Sequence, residues 1–421
     1  MAERPIVVLV GFEGPDRYSF VGGLATRMND LGDALVGRGY LVRHLFVGDP
    51  SLPAREERLE GGLVLERWCR EISARYAGGV YDGEHAKATE LARAVPPYLV
   101  EEIVGPAAAR GSRVVILFED WQTAPAALAT ARLLEARGLR AAASLLWNAN
   151  NTYGFPTVDF PALTRAVEIT TISRFMRAEL VREGVDPQIL PNGIAERFVR
   201  PLPPGDARAM RSAFGERPTL VKVARFDPDK RWLWAVDATA ALNEGGLRPR
   251  LVARGSRSEY AADVVDRVHL RGLSLERIAL EAETPPARLA EALTGSTADV
   301  ALLDFFVPER ALRALYAAAD GVLANSEREP FGLVGLEVMG SGGVAFLGRT
   351  GEDYAMPYGN AVVVQTDDPR ELGAHLERLR AAPEMVKRLK AEGRATAKRF
   401  VWPRLLDGYE ASWAAAERLG R

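Results

Sequence analysis

Short apolar segments alternate with amphipathic helical patterns in two separate blocks of this sequence. In the first block, residues 6–10 and 114–118 are continuous apolar runs, typical of strands that are covered on both faces. In the second block, residues 220–224 and 299–306 repeat the pattern, and residues 232–242 between them have helical spacing. Alternation of this kind predicts parallel sheets with helices on both faces. The chain is therefore expected to form an α/β protein with two doubly wound domains.

The boundary between the two blocks falls near a turn-rich stretch at residues 190–204, which contains Pro-Asn-Gly and a Pro-rich run. We predict an N-terminal domain over residues 1–195 and a C-terminal domain over residues 196–400. A final helix is expected within residues 401–421, beyond Trp402-Pro403. The length of 421 residues suits two or three domains. Residues 255–298 carry clustered charge, and their elements are not assigned from the sequence.

Composition excludes several classes of function. The formal net charge of −2 gives no electrostatic reason to expect a nucleic-acid partner. The single Cys69 excludes an internal disulfide and fits a reducing compartment, and no Cys/His cluster predicts a metal site. The apolar run at residues 5–11 is too short to span a membrane. We predict a soluble, cytoplasmic protein without an integral membrane segment.

Residues 325–343 contain two carboxylates on either side of a turn that opens a helix. Glu329 follows an apolar strand, and Pro330 and Gly332 mark the turn. Glu337 lies near the first turn of the predicted helix. Free backbone amides and the positive end of the helix would suit a diphosphate, and the carboxylates would suit sugar hydroxyls. The alternative is that both residues are ordinary solvated charges.

Two cations form a second pattern, in Arg225-Phe-Asp-Pro-Asp-Lys230. Arg225 stands just past a strand, and Lys230 stands at the entrance to a helix. Cations in these positions suit a pyrophosphate leaving group, because they neutralise charge as the bond from sugar to phosphate breaks. The alternative is a surface ion pair with a helix cap.

Both patterns resemble those of retaining nucleotide-sugar glycosyltransferases of family 4. The family has Glu-Pro-Phe-Gly-Leu with a second Glu eight positions after the first, and Arg-Leu-Asp-Pro-Glu-Lys, from which Phe226 and Asp229 depart. The resemblance implies a GT-B fold, with two Rossmann-like domains facing across a cleft and a last helix that crosses back to the N-terminal domain. It also implies transfer of a hexosyl group from a nucleoside-diphosphate sugar to an acceptor hydroxyl. Retention of configuration, no essential metal and no cofactor are further implications.

The resemblance assigns roles within these patterns. Glu329 would contact the hydroxyls of the donor sugar, and Glu337 would hold the ribose hydroxyls. The predicted catalytic residues are Glu329, Arg225 and Lys230. The predicted donor-binding residues are Gly22, Gly23, Phe331, Gly332, Leu333 and Glu337.

The Gly22-Gly23 pair ends a loop and opens a helix in the N-terminal domain. Its amides could approach the diphosphate from the opposite wall of the cleft, although a Gly pair is often only a turn. Starch and glycogen synthases carry Lys two residues before this pair, whereas this chain has Phe20. That difference argues against an ADP-glucose polymerase.

Polar side chains at the ends of two predicted strands form the candidate acceptor site. Many members of the family place a His at the strand end where this chain has Trp-Asn-Ala-Asn-Asn. Amides both donate to and accept from hydroxyls, which suits carbohydrate, although Asx-turns would also account for them. The predicted acceptor- or sugar-binding residues are Trp147, Asn148, Asn150, Asn151, Asp120 and Arg174.

Other functions remain open from the sequence. A sugar phosphorylase on the same scaffold would use inorganic phosphate in place of the nucleotide, and a non-catalytic nucleotide-sugar-binding subunit would keep the fold alone. A Rossmann dehydrogenase is disfavoured, because no Gly-x-Gly-x-x-Gly follows Val10. The acceptor is expected to be a soluble small molecule or glycan, since the N-terminal domain shows no basic amphipathic helix for anionic lipid.

Overall fold

The computed structural model describes residues 6–256 and 258–419. The chain divides into two compact units. The first unit contains the described residues up to Gly193 together with those from Val401 onward, and the second unit is Ile194–Phe400. Each unit is built on a largely or wholly parallel sheet, which confirms the predicted α/β fold with two Rossmann-like domains.

One sheet runs through the described part of the first unit. Its eight strands are β1 (Ile6–Val10), β2 (Leu41–Val47), β3 (Arg55–Arg58), β4 (Leu63–Trp68), β5 (Val114–Glu119), β6 (Ala143–Ala149), β7 (Glu168–Thr171) and β8 (Gln188–Ile189). Their order is β3-β4-β2-β1-β5-β6-β7-β8, and all neighbours are parallel except the β3–β4 pair. β1 therefore lies between β2 and β5, where the order of strands reverses.

Helices connect these strands and cover the sheet. They are α1 (Gly23–Gly37), α2 (Arg70–Arg75), α3 (Glu84–Tyr98), α4 (Gly105–Ala109), α5 (Ala124–Ala136), α6 (Phe160–Ala166) and α7 (Arg174–Arg182). α1 packs Met28 and Leu31 onto the sheet, where they join Leu9 and Leu117 in one buried cluster. The helical spacing of its apolar residues thus becomes the face that the sheet buries.

A second, wholly parallel sheet forms the centre of the second unit. Its strands are β9 (Thr219–Val223), β10 (Arg250–Arg254), β11 (Leu275–Ile278), β12 (Val300–Leu303), β13 (Gly321–Ala324), β14 (Ala345–Leu347) and β15 (Val362–Val363). Their order among the described residues is β11-β12-β10-β9-β13-β14-β15. β9 lies between β10 and β13, so the loops that follow β9 and β13 emerge next to each other.

The helices of the second unit follow its strands in regular alternation. They are α8 (Pro204–Phe214), α9 (Trp232–Glu244), α10 (Tyr260–Leu270), α11 (Pro286–Gly295), α12 (Glu309–Ala318), α13 (Leu333–Ser341), α14 (Arg370–Ala381) and α15 (Pro383–Ala397). The segment left unassigned from the sequence contains α10, β11 and α11. Most of its charged side chains are exposed or half-buried, and Val264, Val268 and Ile278 are among the residues that it buries.

The last helix, α16 (Trp402–Leu419), lies within the first unit. It packs against α1 and β6. The ring of Trp413 meets that of Tyr40 edge to face, with centroids 5.3 Å apart. The hydroxyl of Tyr409 accepts a hydrogen bond from the guanidinium of buried Arg27, at 2.9 Å. Within the described ranges, α16 included, no helix is both long enough and apolar enough to cross a membrane.

Candidate active site

Two loops of the second unit meet at the carboxyl edge of its sheet. The loop after β9 carries Arg225 and Lys230, and the loop after the adjacent strand β13 carries Glu329. The Lys230 ammonium lies 3.2 Å from a carboxylate oxygen of Glu329. The amide of Glu327 donates to the carbonyl of Asp229 at 2.8 Å, which joins the two loops through their backbones. The fold therefore brings together two motifs that are remote in sequence.

The two cations are held differently. The Lys230 side chain is 17 % exposed. Burial lowers the pKa of Lys230, but nearby Glu329 and Asp229 raise it, and the net shift is upward, so the ammonium keeps its charge. The Arg225 side chain is 44 % exposed, and its nearest carboxylate oxygen, on Asp227, is 3.8 Å away. Arg225 is thus held only loosely within the protein, and its guanidinium is accessible to an anion.

The loop that presents these cations is fixed from inside. The Asp227 carboxylate accepts from the amide of Asp229 at 3.2 Å and caps the short turn Pro228–Lys230. The indole N–H of Trp232 donates to the carbonyl of Arg225 at 2.7 Å. Burial and the neighbouring Asp227 raise the pKa of Asp229 to about 6. Asp227 and Asp229 therefore serve the local structure of this loop.

Glu329 is fixed by contacts to both its side chain and its peptide. Ser326 donates its hydroxyl to the Glu329 carboxylate at 2.9 Å. The hydroxyl of Thr350 accepts from the Glu329 amide at 2.8 Å and donates to the Glu329 carbonyl at 3.0 Å. The backbone amide of Gly351 donates a hydrogen bond to the same carbonyl at 2.8 Å. The carboxylate thus projects from a peptide that has little freedom to move.

The predicted donor-binding residues of this loop lie at the start of α13. Gly332 has φ of +86°, a conformation that favours glycine, and the helix begins at the next residue, Leu333. The Phe331 ring is buried against Tyr354 and Phe400, with centroids 5.9 and 6.2 Å away. The side chain of Phe331 is therefore used for packing, and only its backbone can contact a ligand. The family resemblance likewise implies contacts through the backbone amides of Phe331, Gly332 and Leu333.

Glu337 lies in α13, one turn after the first residue of the helix, Leu333, and is half-buried. Its charge adds to the effect of burial in raising the pKa of Tyr316 and of Tyr354. The carboxylate therefore lies close to two buried phenols, on the same helix that begins beside Glu329.

In the first unit, the amide of Gly22 already has a partner. A carboxylate oxygen of Glu13 accepts from the amides of Gly22 and Ala25, at 3.1 and 3.0 Å. Glu13 is buried and also accepts a hydrogen bond from the hydroxyl of Tyr81. A protein carboxylate thus caps α1 at the place where the sequence predicts a diphosphate contact from Gly22 and Gly23.

Asp120 is the centre of the predicted acceptor residues in the first unit. Its carboxylate accepts from the backbone amide of Asn150 at 2.7 Å and from the side-chain amide of Asn151 at 2.8 Å. Asp120 has φ of +63°, which is unusual outside glycine. Burial and the charge of Glu119 raise its pKa to about 7, against the effect of the hydrogen bonds from Asn150. Half-buried Asn150 and Asn151 lie at the edge of this cluster.

Trp147 and Asn148 are fully buried. The Trp147 indole donates to the carbonyl of Asp120 at 3.0 Å, and the Asn148 amide donates to Glu119 at 2.9 Å. These two side chains therefore support the neighbouring site residues rather than reach a ligand directly. Arg174 is exposed at the first position of α7.

Several functional candidates were not identified from the sequence. Lys222 is buried in β9, with its ammonium 3.3 Å from the carbonyl of Leu323 and 3.5 Å from the side-chain oxygen of Asn325. The sequence feature that could have identified Lys222 is a single Lys inside an otherwise apolar strand. Thr350 and Glu352 lie on the turn that packs against Glu329, and no local sequence pattern marks them as site residues. In the parts of the chain that the structure describes, no group of three His, Cys, Asp or Glu side chains could hold a metal ion.

Comparison with known proteins relates this chain to glycosyltransferases. Residues 207–396 match the family model described as glycosyl transferases group 1. D-inositol 3-phosphate glycosyltransferase of Segniliparus rotundus is 28 % identical over 250 residues, which are 56 % of this chain and 49 % of that protein. Residues 207–396, which lie within the second unit, therefore form a glycosyl transferases group 1 region. The chain spans about half the length of the curated relative that it matches.

Solved structures share the fold of this chain over nearly its whole length. Sucrose-phosphate synthase from Thermosynechococcus elongatus has a TM-score of 0.66 at 18 % identity and covers 98 % of this chain and 100 % of its own. The catalytic domain of starch synthase IV from Arabidopsis thaliana, bound to ADP and acarbose, has a TM-score of 0.67 at 17 % identity, with coverages of 99 and 100 %. An E. coli trehalose-6-phosphate structure bound with UDP-2-fluoro glucose has a TM-score of 0.66 at 14 % identity, with coverages of 97 and 98 %. At these identities the likeness establishes the GT-B fold.

Proposed function

We propose that this protein is a glycosyltransferase, which moves a hexosyl group from a nucleoside-diphosphate sugar to an acceptor hydroxyl with retention of configuration and without an essential metal ion. The observation that carries the proposal is the contact between Lys230 and Glu329 beside the start of α13. A cation for the leaving phosphate and a carboxylate for the sugar stand side by side at a helix end whose free amides favour an anion.

In this proposal the donor lies along the carboxyl edge of the second sheet. Its diphosphate meets the first amides of α13 together with Arg225 and Lys230, and its sugar hydroxyls meet Glu329. The ribose hydroxyls bind Glu337, one turn further along the helix. Neutralisation by preorganised groups is worth most where charge develops, which is on the departing phosphate. Two cations and a helix end thus do what a metal ion does in metal-dependent transferases.

Retention follows, in this proposal, from a front-face reaction. The bond between the anomeric carbon and the phosphate oxygen breaks, and the acceptor oxygen bonds to the same face. The departing phosphate takes the acceptor's proton, so no protein base is required. Glu329 stabilises the positive charge that develops on the sugar, and its contacts with Ser326 and Thr350 hold it in place.

The first unit is proposed to bind the acceptor, through Asp120, Asn150, Asn151 and Arg174. The names of the related proteins refer to inositol 3-phosphate, sucrose-phosphate and trehalose-6-phosphate, which favours a small soluble polyol or sugar. One related structure is bound to UDP and another to UDP-2-fluoro glucose, so UDP-glucose is the first donor to test.

A screen of donors tests the proposal. UDP, GDP and ADP are added separately to the protein, and the ligand that binds the native state raises its melting temperature. The matching nucleotide sugars are then incubated with polyol and sugar acceptors, and the anomeric configuration of the product is read by proton NMR. Inversion would contradict the retaining mechanism. Sugar release that depends on inorganic phosphate and not on a nucleotide would indicate a phosphorylase instead.

A further inference from the structure

A turn of the second unit lies directly against the backbone of Glu329. Thr350 bonds to both the amide and the carbonyl of Glu329, and Gly351 donates to the same carbonyl. A side chain at Gly351 would collide with the backbone of Pro330, which shows how closely the two segments approach. The orientation of the Glu329 peptide is therefore set by this turn.

Glu352 holds the turn from the other side. One carboxylate oxygen accepts from the amide of Gly348 at 3.2 Å, and the other accepts from the amide of Thr350 at 3.1 Å. Its side chain is buried, and its hydrogen bonds come from backbone amides rather than from a cation. Burying a carboxylate is costly unless hydrogen bonds compensate, and here two backbone amides of the turn provide them.

The side chains of Glu352 and Glu329 flank the same glycine. A Cβ atom placed on Gly332 would lie 2.8 Å from Cγ of Glu352 and 3.4 Å from Cγ of Glu329. Tyr354 closes this corner by donating its hydroxyl to the Gly332 carbonyl. Burial, and next the charge of Glu329, raise the pKa of Glu352 to about 7. The two carboxylates thus lie close together at the start of α13.

We propose that Glu352 is a positioning residue, which acts through Thr350 to hold the Glu329 carboxylate in the orientation that the reaction needs. The inference rests on the proposed function of Glu329 as the carboxylate beside the donor sugar. Catalytic groups must be held to within about 0.5 Å of the productive geometry. A turn whose backbone amides donate two hydrogen bonds to the Glu352 carboxylate can provide such support. Loss of this support should affect the transition state more than the ground state, because only the former depends on the exact orientation of Glu329.

The test uses substitutions at both ends of this connection. Glu352→Gln keeps the shape but leaves one backbone amide facing an NH2 group, and Thr350→Val keeps the volume but removes the hydroxyl. We expect each to lower kcat about tenfold while donor KM changes less than about twofold. Thr350→Ser should restore kcat to near the wild-type value. In the double variant Glu352→Gln/Thr350→Val, kcat should lie within about twofold of the lower single variant, because both changes break one chain of contacts.

Glu371 offers a matched control. Its carboxylate also accepts from two backbone amides of the second unit, those of Gln365 and Thr366, each at 2.7 Å. Glu371→Gln should lower the melting temperature and leave kcat unchanged. If Glu352→Gln does the same, or if the two effects multiply in the double variant, the inference is wrong. If Glu352→Gln does not fold, the comparison of Thr350→Val with Thr350→Ser decides.

Failure of the proposed function would look different. In that case the wild-type protein itself would show no turnover with any nucleotide sugar, and the role of Glu352 in positioning would fall with it. Normal wild-type turnover with unaltered kcat in the variants would overturn the inference about Glu352 alone.

Discussion

Lys230 and Glu329 are 99 residues apart in the chain, and their charged groups lie 3.2 Å apart at the edge of the second sheet. The contact neutralises part of each charge before any ligand arrives. A diphosphate at the start of α13 would compete with Glu329 for the ammonium of Lys230. In the proposed function, arrival of the donor therefore changes the partner of Lys230 and leaves Glu329 free to meet the sugar.

The first prediction concerns the two cations. Arg225→Ala and Lys230→Ala should each lower kcat by at least an order of magnitude, since loss of one preorganised group costs about 2.7–4 kcal/mol of barrier. Steady-state kinetics with the identified donor measure the effect. Arg231→Gln is the control, because Arg231 is the next cation along the chain but pairs with Asp367 instead. Wild-type kinetics in either alanine variant would refute the assignment of that residue.

The second prediction separates the roles of the two carboxylates. Glu329→Gln removes the charge beside the sugar and should lower kcat at least tenfold with little change in donor KM. Glu337→Gln removes a contact that is present in both the ground and transition states, so KM should rise while kcat falls less. Both variants should melt within a few degrees of the wild type. The reverse pattern in initial-rate measurements would show that the positions assigned to the two residues are exchanged.

The third prediction is that activity persists in excess EDTA. Arg225, Lys230 and the start of α13 are proposed to neutralise the diphosphate, so chelation should change kcat by less than about twofold. Initial rates are measured after dialysis against EDTA and again after addition of Mg²⁺ or Mn²⁺. A rate that is abolished by EDTA and restored by either ion would contradict metal independence.

The fourth prediction concerns the pH dependence of stability at Lys222. Burial, and next the charge of Lys230, lower the pKa of Lys222 to about 7. The unfolded chain protonates this amine below about pH 10.5, so its burial destabilises the folded state fully below pH 7, and the penalty fades as pH rises from 7 towards 10.5. Lys222→Met should therefore raise the free energy of unfolding at pH 6 by on the order of 2–4 kcal/mol, and by less at pH 9.

Urea unfolding at the two pH values measures this difference. The control is Lys387→Met, which alters a solvent-exposed lysine of the same unit and should change stability little at either pH. A gain at Lys222→Met that is the same at pH 6 and pH 9 would show that the buried amine does not titrate as described.

The fifth prediction concerns the buried pair of Arg27 and Glu119 in the first unit, whose charged groups are 2.9 Å apart. Arg27→Met should reduce the free energy of unfolding by about 3–5 kcal/mol, because it leaves the Glu119 charge buried without its partner. Tyr409→Phe removes the hydrogen bond from Arg27 and the donation to the carbonyl of Pro191, and should cost about 1–3 kcal/mol. Adding Glu119→Gln to Arg27→Met should recover part of the loss in a chemical denaturation experiment. A larger loss in the double variant would contradict the role of the unpaired charge.

The regular strands and helices were predictable because each has a local periodicity. The segment at 220–224 was placed within one residue of β9, and the helix after Gly332 begins where Pro330 and Gly332 indicated. The hairpin of β3 and β4 was not predicted. All residues of Arg55–Arg58 are charged, because β3 lies at the exposed edge of the sheet, so it has no apolar pattern that indicates a strand. In the segment from 255 to 298, exposed charges obscured the apolar residues that α10 and α11 bury.

Within the site, residue types could be predicted, but their partners could not. Both motifs were predicted to follow strands, and Arg225, Lys230 and Glu329 share a sheet edge because parallel strands end on the same side. That Glu13 caps the helix after Gly22, or that Glu352 supports Thr350, depends on contacts between segments with no common sequence pattern. The burial of Trp147 and Asn148 likewise follows from how β6 is covered, which the strand's own residues do not reveal.

Because α16 belongs to the first unit, the order of synthesis differs from the order of assembly. The second unit is continuous, so all of it is synthesised before residues 402–419. Until then Arg27 and Glu119 have their partner strands but lack Tyr409, which reaches Arg27 only from the last helix. The first unit is thus the earliest to be synthesised and the last to be completed. A chain that ends after Phe400 would carry a complete second unit and an unfinished first one, and proteases could recognise it by apolar residues, Leu9 and Leu31 among them, that share a buried cluster with α16.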